Sequence, residues 1–224
     1  MARISQQTIA EAEAAAGTPS TIAASTTAGD GTAEDTKLVF DGNALDFRVG
    51  IDDGTDTLEI GKGNAHGTTA HMIFDTNGII RKPLQPAFQV RANATRNNIA
   101  HNAQNVEVLD NEIIDINGDF DTSNYTFTAP VSGSYMITAQ VRWAQLVTSY
   151  DYYMVFVATS NRNYEVMMFD PEAATSYYGV GSAFVADMDA ADTATLKVFI
   201  SHSGSGNTNS DIQTPTKLCG YLIG

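Results

Sequence analysis

Four histidines, His66, His71, His101 and His202, could ligate a metal or move a proton. None stands in a His-Glu-x-x-His pattern, and the step from His66 to His71 does not put both on one helical face, so they read as loop histidines. The run Gly61-Lys62-Gly63-Asn64-Ala65-His66-Gly67 is one residue too long for Gly-x-Gly-x-x-Gly and leads into no helix, which argues against a phosphate cradle. Ser205 lies between Gly204 and Gly206 with no nucleophile elbow around it and no base or orienter that the sequence can place. Asp115, Asn117, Asp119 and Asp121 alternate in an oxygen-rich run that could hold calcium. An EF-hand loop would need Gly where Phe120 stands and Glu where Thr126 stands, and a turn capped by its own side chains is the competing reading. The clusters Asp52, Asp53, Asp56 and Asp187, Asp189, Asp192 carry the same two readings. No catalytic residue and no cofactor is expected. A polysaccharide hydrolase would need paired carboxylates in a groove, and nothing selects a pair from the 26 acids.

Three further features touch on recognition. Tyr177 and Tyr178, near Gly179 and Gly181, read either as an exposed aromatic loop that could stack on sugar or as a strand edge packed on a neighbour. Asn93 and Asn124 begin glycosylation sequons, which carry weight only in a secreted chain. Cys219 is the one cysteine, which excludes an intrachain disulfide framework and a cysteine-based zinc site; it reads as a small core or interface residue.

The elements that would position these residues are strands. Charged residues are only 17% of 224, and the net charge is −14, which argues against nucleic-acid or anionic-membrane partners. No apolar run is long enough to span a bilayer, and no secretory leader is visible. Residues 1–36 hold no aromatic residue and are mostly Ala, Thr, Ser and Gly, too little to build a core. They contain one helix signal: Ser5 or Thr8 as cap, Glu11 at capping-box spacing from Thr8, alanines over 12–16, then Gly17 and Pro19 as stops. Such a segment reads as an anchoring arm held by something outside it; the competing reading is that it packs on its own domain. Residues 37–84 read as short strands and tight turns, with Asp52-Asp53-Gly54 and Asn77-Gly78 as turns and a weak repeat, LDFRVG and DTLEIG. Its large apolar side chains are too few for an independent core, and association with identical copies would supply the missing burial. Residues 85–224 read as the main domain. Tyr135, Ile137, Ala139, Val141 and Trp143 alternate with polar residues in the clearest strand. Stretches 150–157 and 164–169 are apolar on both faces, so both faces need a cover, one from the opposite sheet and one from a second subunit. Eight to ten short strands in this pattern predict an all-β, antiparallel sandwich or jelly roll.

The stretch FTAPVSGSYMI (127–137) resembles the signature of the C1q/TNF-like jelly-roll family, with Phe127, Ala129, Pro130, Gly133 and Tyr135 at the signature positions. PAFQVRA (86–92) resembles that family's first strand. NEIIDINGDFD (111–121) resembles its next strand and turn, with Phe120 at a usually aromatic place. Gly220-Tyr221-Leu222 resembles its last strand. No Gly-X-Y collagen stretch precedes the domain. The block from Asp41 to Val90 is similar to β-rich segments that precede such heads in phage structural proteins.

The resemblance implies a homotrimer whose jelly rolls meet through aromatic and aliphatic faces, with Phe88, Tyr125, Phe127, Tyr135, Tyr153, Phe169 and Tyr221 as core or trimer residues. It implies distal loops as the recognition surface. The expected protein is a non-enzymatic structural component on a phage virion surface, capsid decoration or short fibre. It would be assembled in the host cytoplasm and docked on coat or tail proteins by residues 1–36, with a host-surface glycan or protein as a further partner. The alternative is a secreted C1q-like module that recognises carbohydrate or protein.

Overall fold

The computed structural model describes residues 27–204 and 209–224. The helix signal over 8–17 and the Ser205 site fall outside the described residues. The chain divides into two compact units, Met1–Arg81 and Lys82–Gly224. Residues 82–86 go with the second unit because Gln85 donates to the Leu222 carbonyl (2.9 Å) and Pro86 accepts from the Leu222 N–H (3.0 Å).

In the first unit, β1 (Thr36–Phe40), β2 (Phe47–Asp52), β3 (Thr57–Lys62), β4 (Ala70–Phe74) and β5 (Ile80–Arg81) form an antiparallel meander in chain order. Turn chemistry fixes its register. The Asp52 carboxylate accepts the Gly54 N–H (3.0 Å), and the Asp75 carboxylate accepts the N–H groups of Asn77 and Ile79 (both 2.9 Å). Gly78 supplies the positive φ (79°) that the Asn-Gly turn requires.

The repeat has a physical meaning here. Antiparallel pairing sets Arg48 against Gly61, Val49 against Ile60 and Gly50 against Glu59, so each charged side chain lies across a glycine of the other copy of the repeat. A Cβ at Gly61 would stand 2.9 Å from the Arg48 guanidinium carbon. Arg48 Nη2 donates to Glu59 Oε2 (3.0 Å) and Nη1 to the Lys62 carbonyl (2.6 Å). The connection between β3 and β4 folds over the pair, adding the Gly67 N–H (3.2 Å) and His66 Nδ1 (3.1 Å) to the same carboxylate oxygen. Burial alone would raise the Glu59 carboxyl, but the Gly67, Arg48 and His66 contacts and the Arg48 charge outweigh it and hold it below its ordinary value.

The result is an inside-out sheet. Arg48 and Glu59 are 0% and 2% exposed, while the opposite face carries Leu38, Phe40, Phe47, Val49, Ile51, Leu58, Ile60, Met72, Phe74 and Ile80. Phe40 and Ile80 on that face are 58% and 55% exposed.

The second unit is a two-layer β-sandwich. One sheet runs β8 (Asn111–Asp115), β6 (Ala87–Arg91), β17 (Lys217–Leu222), β11 (Gly133–Leu146), β14 (Thr175–Met188), in the order β14-β11-β17-β6-β8, with β16 (Asp211–Ile212) beside β11. The other runs β13 (Asn163–Phe169), β12 (Tyr152–Thr159), β15 (Thr193–Ser201), β10 (Thr126–Thr128), β9 (Phe120–Asp121), with β7 (Asn105–Val106) beside β15. From β10 onward the chain changes sheet at almost every connection, and all pairings are antiparallel, which makes this a jelly roll.

Its core is built from the predicted alternation. Tyr135, Ile137, Ala139, Val141 and Trp143 of β11 are buried with Tyr153, Val155 and Val157 of β12 and Leu196, Val198 and Ile200 of β15. At one end Phe88 stacks on Phe127 (centroids 4.4 Å) and Phe120 (5.5 Å), and Phe127 meets Tyr135 edge-on (5.5 Å), with the Tyr135 hydroxyl donating to the Val131 carbonyl (2.8 Å). Phe88 packs against Gly220, where a Cβ would stand 2.5 Å from the ring. Gly220→Val should therefore overpack this aromatic cluster and cost about 1–3 kcal/mol, read as a lower urea midpoint at unchanged slope. An unchanged midpoint would mean that Phe88 is free to move aside.

Candidate functional site

The pleat of the β14-β11-β17-β6-β8 sheet sends one set of side chains into the core and the other outward. Register places Val185, Met136, Tyr221 and Ala87 in one outward row, and Ala183, Thr138, Cys219, Gln89 and Ile114 in the next. Val185, Tyr221 and Ile114 are each about half exposed. Further along, the rows turn polar: Gln140 with Lys217 and Arg91, then Arg142. The face thus has an apolar half near Gly133 and a cationic half toward Leu146. Burial pushes the Cys219 thiol up, only partly offset by Lys217, so it stays a protonated, unreactive thiol within this face.

Of the residues expected at the core or subunit contact, Phe88, Phe127, Tyr135 and Tyr153 lie in the core of a single chain. Tyr125 and Phe169 pack half-buried against that core, Phe169 stacking on Tyr153 (5.5 Å). Tyr221 is on the uncovered face. Ala129 is buried, Pro130 is exposed at the following turn, and a Cβ on Gly133 would meet Leu222 at 2.7 Å. Of the two readings of Tyr177 and Tyr178, the loop is corrected and the strand edge holds: both belong to β14, the edge strand of its sheet, paired with Ala144 and Trp143. The flanking glycines suggest a turn, but Gly181 stays in the strand because its missing Cβ admits the Ala139 carbonyl (3.0 Å). Tyr177 points outward beneath the Arg142 guanidinium (4.5 Å to the ring centroid), while Tyr178 packs on Phe169 (4.7 Å).

A cleft at the Leu146 end is lined by Gln145, Val147, Thr175, Tyr177, Asn209 and Gln213. Gln145 adopts a positive φ (56°), held by its Nε2 bond to Asp211 (2.6 Å) and by Ser210, which donates to its carbonyl (3.1 Å). Nearby, His202 meets both His101 (5.1 Å) and Tyr150 (4.7 Å) edge-on. Sequence spacing could not foresee that meeting, because the two histidines lie on different connections. The cleft offers amides, hydroxyls and one aromatic face, which suits hydrogen bonding and stacking.

The acidic runs serve turns. Asp115 accepts the N–H groups of Asp119 and Phe120 (both 3.0 Å) around Asn117 and Gly118, whose φ values are both positive. Asp121 accepts from Ser123 (2.6 Å) and Asn124 (2.8 Å). Burial, then the Asp115 charge, raises the Asp119 carboxyl. Asp187 binds Tyr164 (2.9 Å) and Arg162 (2.8 Å), and Asp192 binds Asn161 (2.7 Å) and the Asp189 N–H (2.8 Å). Among the described residues no three His, Cys, Asp or Glu side chains converge on a metal position.

One carboxyl was invisible to sequence reasoning. Glu107 is buried beside Arg96 (3.2 Å), and burial, against the pull of Arg96, pushes its pKa up to about 7. The folded state then binds a proton that the unfolded state releases near pH 4.5, so its contribution is fully present below the unfolded value and is lost as pH rises to about 7. Glu107→Gln should flatten the fall in stability between pH 4.5 and about 7, by about 3 kcal/mol at most, measured by denaturation at each pH. A variant with the same pH slope as wild type would show that Glu107 is ionised in the fold.

No family model matches the chain, and no curated protein matches it. Among solved structures it is similar to the globular domain of the zebrafish complement 1qA protein, at 18% identity and a TM-score of 0.47, covering 62% of this chain and 98% of that one. Murine APRIL at pH 8.5 is similar at 11% identity and 0.43, covering 62% and 99%. The Eiger TNF of S. frugiperda is similar at 11% and 0.43, covering 62% and 93%. These are likenesses of fold.

Proposed function

We propose that this chain is a non-enzymatic structural protein of a phage virion. It works as a homotrimer on the particle surface, as capsid decoration or short fibre, anchored to coat or tail proteins by its first residues. The observation that carries the reading is the apolar half of the outward sheet face, Val185, Met136, Tyr221, Ala87 and Ile114, which a single chain leaves wet. Burying such a surface against sister copies returns about 25 cal/mol per Å2 before ordering costs. The C1q/TNF-like signature supports three copies, and the similarity of residues 41–90 to phage head-proximal segments supports the virion. The amide- and tyrosine-lined cleft at the Leu146 end is the surface offered to a host glycan or protein.

Sedimentation should give three copies of the 23.9 kDa chain, about 72 kDa, at micromolar concentration. Val185→Glu, at a position already half exposed, should leave the fold within about 0.5 kcal/mol of wild type yet shift the mass to the monomer. A wild-type monomer, or a trimeric Val185→Glu, would refute this use of the face. Deleting residues 1–34 should preserve the trimer and abolish incorporation into particles; a truncated chain still on particles would place the anchor elsewhere.

A further inference from the structure

We infer that the exposed apolar face of the β1–β5 sheet is a second self-association surface, covered by the same face of two sister chains. The inference rests on the trimer reading and extends it to residues 36–81.

Three observations favour this occupant. The first is polarity. The chain already covers the polar side of this sheet, with the β3–β4 connection lying over Arg48 and Glu59, and leaves the side carrying Leu38, Phe47, Ile51, Leu58, Ile60 and Phe74 uncovered. A free-standing sheet would have been covered the other way round, because burying a charged pair returns little and burying ten apolar side chains returns much. The second is charge. No carboxylate stands among the strand residues of that face. Lys62 lies at its edge, Asp52 ends β2 on the opposite face, and Asp53, Asp56 and Asp75 sit in the turns. Copies carrying −14 each can therefore meet face to face without opposing carboxylates across the contact. The third is supply. Residues 1–26 bring only Met1, Ile4, Ile9 and Ile22 as large apolar side chains, too few to cover ten.

Area sets the number of partners. Four strands of five or six residues, 4.8 Å apart, present about 19 by 18 Å, and the two residues of β5 bring the face to about 400 Å2. That is about half of what one partner contributes to a stable interface. It is too little to hold two chains by itself and sufficient as an addition to the contact made by the jelly roll.

The test uses the full-length chain with Cys219→Ser and a single new cysteine. Ile60→Cys sits at the centre of the apolar face, and Lys37→Cys is exposed on the opposite side of the same sheet. A bismaleimide of about 10 Å, the distance between packed sheets, should join Ile60→Cys chains to each other and leave Lys37→Cys chains single. A monofunctional maleimide should label Ile60→Cys at least tenfold more slowly than Lys37→Cys. A protein of trimer mass whose Ile60→Cys is labelled as fast as Lys37→Cys, without cross-links, would overturn this inference and leave the jelly-roll trimer standing. A monomeric mass would overturn both.

Discussion

A β-sheet has two faces, and a chain that makes one sandwich can cover only the two faces turned toward each other. That constraint governs this molecule. The jelly roll hides Tyr135, Ile137, Val141 and Trp143 between its sheets, yet the pleat pushes Met136 and Val185 out of the other side. The β1–β5 meander has no second layer among the described residues except its own β3–β4 connection, and that layer covers polar groups. Apolar surface remains in both units that nothing within the described chain removes from water. The proposed trimer follows from that surplus, independently of any loop or recognition residue.

The Arg48–Glu59 pair shows how such a sheet can tolerate being inside out. An isolated charge under the β3–β4 connection would cost several kcal/mol. Here the guanidinium and carboxylate satisfy each other, and backbone groups of Lys62 and Gly67 take the remaining valences. Gly61 makes room for the Arg48 guanidinium and Gly50 for the close approach of β1 at Thr36 and Lys37, which is why the two copies of the repeat both end in Gly. Such a pair adds little net stability over an apolar substitute. What it adds is a side preference: the polar face cannot be turned toward a greasy partner, so the sheet has one sticky side and one register.

Much of this was legible in residue order. The alternation from Tyr135 to Trp143, the Asn77-Gly78 turn and the run from Phe127 to Tyr135 each encode their structure locally, through the two-residue pleat or through positive φ. What period alone cannot encode is which side a strand turns toward its cover. Arg48 between Phe47 and Val49, and Glu59 between Leu58 and Ile60, read as ordinary solvent-facing charges; only the pairing of each with a glycine gives the buried pair away, and that requires the register. Tyr177 and Tyr178 left two readings open for a related reason. Glycine neighbours suggest a turn, but in a long strand they also permit close approach to an adjacent backbone. Glu107 lay beyond reach because Arg96 meets it only after the chain has folded back on itself.

The charge distribution completes the argument. A net charge of −14 would oppose assembly if it were spread over the contact surfaces. It is concentrated in turns instead, where Asp52, Asp75, Asp115 and Asp121 hold backbone N–H groups. Those carboxylates do two things at once. Locally they fix the hairpins that set the register. They also stand at strand ends: Asp52, Asp53, Asp56 and Asp75 gather where β2 joins β3 and β4 joins β5, outside the apolar strand face. The apolar face of the β1–β5 sheet is left free of carboxylates, as the proposed contact between copies requires.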